Sequence, residues 1–457
     1  MVCYELRRAI VIGLDCAPPR ILYDELRNEL NVLGKLVGEG QRYIMRSSHP
    51  PITIPAWMVM ATGKTPGELG LYGFRHRVLG SYDKMYIADS TRIREEPIWN
   101  TLGKHGVNSI VVGVPPSYPP RPIKGYLISD FITPDHTKRY TWPPWLKKEI
   151  ENRFGPYIFD VVFRIEDRDK VAKGLWEMTE QHFKVLEYLL TNKKWGFAWF
   201  VEIGVDRLHH AFWKYWDRNH PKHVSGNKYE QIIPSYYKFL DEKIGSLLEK
   251  IPKDTLVFIV SDHGAKAMKG AFVVNQWLEE KGYLKLKKKP EKPGEDLKPN
   301  MIDWDHTKVW GWGGYYSRFF INVKGREPNG IVEPSDVPEL IEELKDELRK
   351  IKGPNGEVWN TKAYAPRELY PVVKGDPPDM MVYFDDLSWR AAGTIGWNTL
   401  YLEENDKGPD DAVHDWYGVF TIYDPEETIE SGDKGIIDIH RIKDKMIQYI
   451  MEDKKIV

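Results

Sequence analysis

The chain has 457 residues, of which 42% are hydrophobic and 13% aromatic, and it carries 65 basic and 67 acidic side chains. This length suits one large catalytic domain with an insertion, and the net charge of −2 excludes a basic nucleic-acid-binding domain. Two cysteines, Cys3 and Cys16, exclude a disulfide scaffold, and no apolar run has the length of a membrane span or a signal peptide. We therefore expect a cytoplasmic protein, and the sequence leaves the oligomeric state open.

The first strand candidate, residues 9–14, runs directly into Asp15. An apolar, β-branched run that stops at a carboxylate is typical of a buried strand in a parallel sheet, and open α/β sheets bind ligands at the carboxyl ends of such strands. For Asp15 alone, a turn or a helix cap is an equally good interpretation.

Thr53 stands just ahead of a helix that the sequence predicts at 56–62. Pro55 suits the first helical position, and Gly63 suits the end. Free N–H groups and the helix dipole favour an anion at such a place, and a hydroxyl coordinated by a metal ion can ionise and act as a nucleophile. On this segment alone, a simple capping role for Thr53 is the better interpretation.

Further strand candidates lie at 108–114, 125–129, 197–203 and 255–261, and helical patterns separate them. Strands that alternate with helices predict an α/β fold whose mostly parallel sheet is covered on both faces. The helical patterns lie near 22–38, 56–62, 172–190, 230–250 and 274–282.

Two of these strands also end in candidate ligands. The fourth is followed by Asp206 and, four residues later, by His210, whereas the fifth ends directly in Asp262 and His263. A late histidine, His414, precedes another strand candidate. Together with Asp15, these residues supply oxygen and nitrogen donors for two divalent cations, and the set contains no thiolate.

The pattern changes between residues 285 and 380, where proline and charged residues give way to short strands and one helix at 335–350. We interpret this region as a smaller cap inserted over the active site. The catalytic core domain then comprises residues 1–284 and 381–457, and its closing helix lies near 436–451.

The order and spacing of these residues resemble the type I phosphodiesterase/nucleotide pyrophosphatase family of the alkaline phosphatase superfamily. The resemblance covers nearly the whole chain. It implies an alkaline-phosphatase-like three-layer αβα sandwich with a mostly parallel central sheet and a smaller inserted cap. The short motifs that carry it are GLDCAPP at 13–19, ATGKTPG at 61–67, VPPSYPP at 114–120 and INVKGREP at 321–328.

The resemblance also implies two divalent metal ions per chain, zinc or manganese. Thr53 would attack the phosphorus of a small-molecule phosphate diester and form a phosphothreonine intermediate that water then hydrolyses. Alternatives on the same scaffold are a phosphomonoesterase, a phosphonate hydrolase or a phosphoglycerate mutase, and a non-catalytic binding protein with a relic site is a further one. One ion would be held by Asp15, Thr53, Asp262 and His263, and the other by Asp206, His210 and His414.

Candidate substrate contacts follow from the same resemblance. Members that cleave nucleotides carry an asparagine three residues after the nucleophile, whose amide contacts phosphate; this chain has Ala56 there, which puts nucleotide pyrophosphatase activity in doubt. Polar candidates for the missing contact are Lys64, Arg75, Arg207 and His209. Aromatic candidates that could stack a base or line an apolar pocket are Trp57, Tyr72, Phe74, Trp310, Trp312 and Tyr315.

Overall fold

A nine-stranded sheet lies at the centre of the computed structural model, which describes residues 6–451. Five of its eight strand pairs are parallel, as the alternation of strands and helices in the sequence predicts. In spatial order the strands are Gly432–Asp438, Gln41–Arg46, Tyr417–Tyr423, Leu256–Val260, Ala9–Leu14, Phe197–Glu202, Ser109–Val112, Gly125–Ile128 and Thr141–Trp142.

The central strand Ala9–Leu14 is buried along its whole length. Alternate side chains point to opposite faces, so Ile10 and Ile12 pack into one hydrophobic core whereas Val11 packs into the other. Both cores need a cover of helices, which explains why the strand is continuously apolar rather than alternating. The three-layer α/β fold expected from the sequence is therefore confirmed.

Helices cover the two faces in separate groups. The core on one face includes side chains of Asn31–Glu39, Leu146–Phe154, Arg168–Asn192, Gly204–Trp216 and Ile232–Lys250. The core on the other face includes side chains of Thr53–Thr62, Ile98–Lys104 and Ile442–Ile450.

A second, four-stranded antiparallel sheet packs against helix Val337–Arg349 around a third core. Its strand order is Val309–Trp312, Ser317–Ile321, Met380–Tyr383 and Lys362–Tyr364. This sheet draws three of its strands from the region that the sequence assigns to a cap, and the bounds 285–380 stay a prediction.

The smaller elements complete the part of the chain that the structure describes. Three α-helices of this group are Val274–Glu280 and the four-residue Pro66–Leu69 and Pro366–Leu369. The short strands are Arg75–Arg77, Met85–Ile87, Gly264–Ala267, Gly270–Val273, Glu295–Asp296, Trp389–Ala392, Thr394–Ile395, Tyr401–Leu402 and Ala412–Asp415.

Several element boundaries differ from the sequence prediction. The closing helix is helical only at Ile442–Ile450, because the preceding Gly432–Asp438 forms an edge strand beside Gln41–Arg46. Gly432–Asp438 pairs on one side only, and its neighbour Gln41–Arg46 is paired on both sides but partly exposed, so both carry charged residues that do not give a strand pattern. The predicted helix at 22–38 is a π-helical turn, a 3₁₀ turn and then the α-helix Asn31–Glu39.

No helix within residues 6–451 is long and apolar enough to cross a membrane. Cys16 is fully buried, as a small core residue is expected to be, whereas Cys3 lies outside the described residues. The outermost ends of the predicted core domain, 1–5 and 452–457, lie outside them as well.

Candidate active site

The carboxyl edge of the central sheet brings the candidate ligands together. Strand Ala9–Leu14 pairs in parallel with both Leu256–Val260 and Phe197–Glu202, so all three chains leave the sheet at the same edge. Asp15 follows the first strand and Asp262 the second. After the third strand, helix Gly204–Trp216 begins, a helix that the sequence analysis missed. Its Asp206 and His210 lie one turn apart on one face, which their i, i+4 spacing could have indicated.

A small antiparallel ribbon positions the last histidine. Strand Ala412–Asp415 pairs with Gly264–Ala267, and His414 lies opposite Ala265. This pairing stacks the His414 ring on that of His263, with centroids 3.8 Å apart. A residue distant in sequence thereby joins the cluster at the sheet edge.

Asp206, His210 and His414 form one buried group of potential ligands. His210 Nε2 lies 3.2 Å from Asp206 Oδ1 and 3.3 Å from His414 Nε2, and the latter lies 3.6 Å from Asp206 Oδ1. The opposite ring nitrogens are held by acceptors: His210 Nδ1 by Asp410 Oδ1 at 2.8 Å and His414 Nδ1 by the Pro51 carbonyl oxygen at 2.7 Å. A proton on each Nδ1 leaves each Nε2 free to bind a cation.

A second group lies beside the first. Asp15, Asp206 and His263 place one ligand atom each within 4.8 Å of one another, so Asp206 belongs to both groups. His263 Nε2 lies 3.7 Å from Asp15 Oδ1, 3.1 Å from Asp262 Oδ2 and 3.3 Å from Thr53 Oγ1. The other three residues expected to share one ion with His263 therefore surround its Nε2 atom.

Each of the three carboxylates leaves one buried oxygen unpaired. Among residues 6–451, Asp15 Oδ1, Asp206 Oδ1 and Asp262 Oδ2 have no hydrogen-bond partner, although all three are inaccessible to solvent. Buried carboxylate oxygens without partners are costly unless a cation binds them. The unpaired atoms and the Nε2 atoms make a donor set that fits zinc or manganese. The paired oxygens accept from Trp57 Nε1 at 2.6 Å for Asp15, Arg207 Nη1 at 2.7 Å for Asp206 and the Cys16 N–H at 3.2 Å for Asp262.

The charges of this cluster perturb one another strongly. Burial, together with the charges of Asp262 and Asp206, raises the pKa of Asp15 well above its usual value. Against the effect of burial, Asp262 raises the pKa of His263 to about 9, and Asp410 and Asp206 raise that of His210 to about 9. Three crowded carboxylates need positive charge nearby, and two divalent cations would supply +4 against −3.

The helix begins earlier than the sequence predicts, at Thr53 instead of residue 56. Thr53 is therefore the first residue of helix Thr53–Thr62 and does not precede it. The N-cap is Ile52, and no side chain caps this helix, so the capping interpretation of Thr53 is wrong. The side chain is 2% exposed and directs Oγ1 to His263 Nε2. Gly63 ends the helix in the left-handed conformation with φ of 70°, as the sequence predicts.

A cavity of about 980 Å³ opens beside Thr53 and also exposes Asp206, His210 and His414. Nine aromatic and six basic side chains contribute to the rest of its wall. Arg75, Arg207, Phe74, Trp310, Trp312 and Tyr315, all candidates from the sequence, line it.

The other sequence candidates do not line this cavity. Ala56 and Trp57 are fully buried in a core, so the side chain three residues after Thr53 has no access to the cavity. Lys64 lies beyond the far end of the helix, 3.6 Å from Glu68. The remaining two are buried as well: His209 stacks on Tyr237, and Tyr72 packs in a neighbouring core.

Sequence reasoning missed the residues that hold His210. The buried carboxylate Asp410 accepts hydrogen bonds from His210 Nδ1, from Tyr315 Oη at 2.9 Å and from Arg164 Nε at 3.0 Å. The Tyr315 ring also stacks on His414, with centroids 4.2 Å apart. Metal-binding histidines usually have such an acceptor, so its existence is predictable, but no sequence signal connects Asp410 to His210.

Comparisons with known proteins identify the family and similar folds. The family model described as type I phosphodiesterase / nucleotide pyrophosphatase matches residues 9–410. No curated protein sequence matches the chain. A solved structure of phosphonoacetate hydrolase from Sinorhizobium meliloti 1021, in complex with phosphonoformate, has a TM-score of 0.61 at 14% identity and covers 99% of this chain and 97% of its own. Murine ectonucleotide pyrophosphatase / phosphodiesterase 5, as an inactive variant in complex with AMP, has a TM-score of 0.57 at 12% identity, with 99% and 96% covered.

Proposed function

Because the chain belongs to the type I phosphodiesterase/nucleotide pyrophosphatase family, within the alkaline phosphatase superfamily, we propose that it is a metal-dependent phosphodiesterase with Thr53 as nucleophile. The observation that carries this proposal is the convergence of three unpaired carboxylate oxygens beside the Thr53 hydroxyl. Such a buried cluster has no structural use that the packing explains, whereas a bound cation uses all three oxygens.

Two divalent cations, zinc or manganese, fit the donor set. In our assignment one is held by Asp206, His210 and His414, and the other by Asp15, Thr53, Asp262 and His263. When bound, such ions act as Lewis acids that favour the ionised form of a coordinated hydroxyl and offset the charge of phosphoryl oxygens. The proximity of Asp206 to Asp15 and His263 supports a shared site for both ions.

The chain itself positions the nucleophile and its surroundings. The Thr53 hydroxyl gives up its proton, and Oγ1 forms a bond to phosphorus while the bond from phosphorus to the leaving oxygen breaks; the leaving oxygen takes up a proton, which gives a released alcohol and a phospho-Thr53 that keeps the other ester group. Water then attacks the same phosphorus, and the Thr53 oxygen leaves. The helix start at Thr53 adds free N–H groups and a positive dipole that favour the anionic phosphoryl group. Two in-line displacements give net retention of configuration at phosphorus.

A phosphate diester is the favoured substrate class because the cavity extends well beyond the space that one phosphoryl group fills. Bis(p-nitrophenyl) phosphate and p-nitrophenyl phosphate, each with added Zn²⁺ or Mn²⁺, test this preference. We expect faster turnover of the diester and an acid-quenched phosphopeptide that contains Thr53. A phosphorylated residue at any other position would overturn the assignment of the nucleophile.

The alternatives make different predictions in the same assays. A phosphomonoesterase would prefer p-nitrophenyl phosphate, a phosphonate hydrolase would release phosphate from phosphonoacetate, and a mutase would interconvert phosphoglycerates. A binding protein with a relic site would bind two ions and turn over none of these compounds. The complete donor set argues against that last alternative. A cytoplasmic location stays a prediction.

A further inference from the structure

The cavity beside Thr53 is lined by more basic side chains than the phosphoryl chemistry uses. Four of these cations have a carboxylate within 4.0 Å, and their charges are thereby balanced within the protein. The pairs are Arg164 with Asp410, Arg207 with Asp160 and Asp206, Arg390 with Asp410 and Asp406, and Lys407 with Asp296.

Arg75 and Arg318 also line the cavity, and neither has a carboxylate within 4.0 Å among residues 6–451. The Arg318 guanidinium donates one hydrogen bond, from Nη1 to the backbone carbonyl oxygen of Arg75, and its buried Nε has no partner in the described chain. A guanidinium has five N–H groups in a planar fork that matches a carboxylate or a phosphate. Most of this donor capacity is therefore left for a ligand.

The neighbouring elements hold Arg318 in place. It lies in strand Ser317–Ile321 directly opposite Trp312, and its guanidinium carbon is 5.1 Å from the Trp312 ring and 5.7 Å from the Tyr316 ring. Gly73 lines the cavity next to it, where a β-carbon would lie 3.7 Å from Arg318 Nη1. The absent side chain at this glycine leaves the guanidinium open towards the cavity.

The position of Arg318 relative to the metal centre follows from the chain. Tyr315 stacks on His414 of the metal centre and stands three residues before Arg318. Three residues of extended chain span at most about 10 Å. Arg318 therefore lies on the same short chain segment as a residue that contacts the metal centre, and a substrate with its phosphorus at Thr53 would need an extended arm to reach the guanidinium.

We propose that Arg318, together with Arg75, forms a subsite for a terminal oxyanion, a carboxylate or a phosphate, on the arm of the diester that extends from the scissile phosphorus. This inference rests on the proposed phosphodiesterase function. It identifies the substrate class as diesters with a second negative charge. It also gives a role to Arg75 and Arg318, which form no ion pair with a carboxylate of the described chain.

Three synthetic diesters of equal arm length test the subsite: the p-nitrophenyl phosphates of a hexyl, a 5-carboxypentyl and a 5-phosphonopentyl group. Their dissociation constants are measured by calorimetry at low ionic strength on the metal-loaded Thr53→Ala variant, which removes the nucleophile. We expect one anionic arm to bind about tenfold more tightly than the hexyl arm, the effect of one added charge-assisted hydrogen-bond pair. The preferred arm distinguishes a carboxylate from a phosphate ligand.

Further variants in the Thr53→Ala background assign the effect. We divide the dissociation constant of the hexyl diester by that of the preferred anionic diester. Arg318→Gln should bring this ratio close to one. Arg75→Gln, at an exposed position, should lower the ratio as well. Arg92→Gln is the matched control, because Arg92 also lacks a carboxylate partner in the described chain but stacks on Tyr86 and does not line the cavity. It should keep the original ratio.

Two results would overturn the subsite: equal binding of all three diesters, or an anion preference that Arg318→Gln and Arg75→Gln leave unchanged. Turnover of the hexyl diester by the chain with Thr53 intact tests the proposed function separately. A preference for the anionic arms without turnover of any diester would keep the subsite and refute the phosphodiesterase.

Discussion

The carboxylate Asp410 offers a sharp test of how the protein prepares His210 for a metal ion. Its Oδ1 accepts from His210 Nδ1 at 2.8 Å, and its Oδ2 accepts from Tyr315 and Arg164. Asp410→Asn keeps the shape of the side chain but removes the charge and one acceptor oxygen. The ring of His210 can then turn to its other acceptor, the Ala412 carbonyl oxygen at 3.1 Å.

The expected loss follows from these contacts. Removal of the acceptor behind a metal-binding histidine typically weakens metal affinity about 10- to 100-fold, which is about 1.4 to 2.8 kcal/mol. We expect the lower end of this range, because the Ala412 carbonyl oxygen can still accept the hydrogen bond from His210 Nδ1. Because His210 is the one candidate metal ligand that Asp410 contacts among the described residues, we expect only the ion assigned to Asp206, His210 and His414 to be affected.

Competition with a chromogenic chelator measures both dissociation constants for Zn²⁺. Asp411→Asn is the control, because Asp411 is an adjacent buried carboxylate whose side chain pairs with Lys214 at 3.2 Å, and its only contact with His210 is a backbone hydrogen bond that the substitution keeps. We expect wild-type affinities for that variant. Wild-type affinity of both sites in Asp410→Asn would refute the role of Asp410 in metal binding.

Further predictions concern the nucleophile, the ligands and the fold. Thr53→Ala should lower kcat about a thousandfold or more while most metal stays bound, and near-normal turnover would refute covalent catalysis. His414→Ala should reduce the metal content from about two ions per chain to about one by elemental analysis, and an unchanged content would contradict the ligand assignment. Burial raises the pKa of Asp130 to about 6, so its contribution to stability is present below the usual carboxyl pKa and is lost as pH rises through about 6. Urea unfolding should therefore show a smaller loss of stability between pH 4 and 8 for Asp130→Asn than for the wild type, and equal losses would contradict this. Glu327→Ala should destabilise the fold by about 3–5 kcal/mol, because it leaves Arg77 buried without its bidentate partner, and a loss below about 1 kcal/mol would refute this.

The central sheet was largely predictable because its inner strands carry unmistakable patterns. Continuous apolar runs such as 9–14 and 256–260 have no other stable location than a sheet covered on both faces. The edge strand Gly432–Asp438 and its neighbour Gln41–Arg46 were missed because solvent contact allows charged side chains there. Local pattern therefore determines the interior of this sheet better than its edges.

The ligand candidates were accessible to sequence reasoning for a related reason. Parallel strands end at one edge, so acids and histidines that follow them converge. Contacts made across long sequence separations were not accessible. Trp57, a substrate candidate in the sequence, instead donates to Asp15, and the oxyanion subsite proposed around Arg318 depends on a strand pairing with Trp312 that no local pattern indicates.

Anomalous X-ray diffraction from crystals grown with Zn²⁺ tests the central claim most directly, because it locates each ion without assumptions about activity. We predict two strong peaks per chain, one within bonding distance of Asp206, His210 and His414, and one beside Thr53 and His263. A single peak elsewhere, or none at the unpaired oxygens of Asp15, Asp206 and Asp262, would contradict a two-ion site around Thr53.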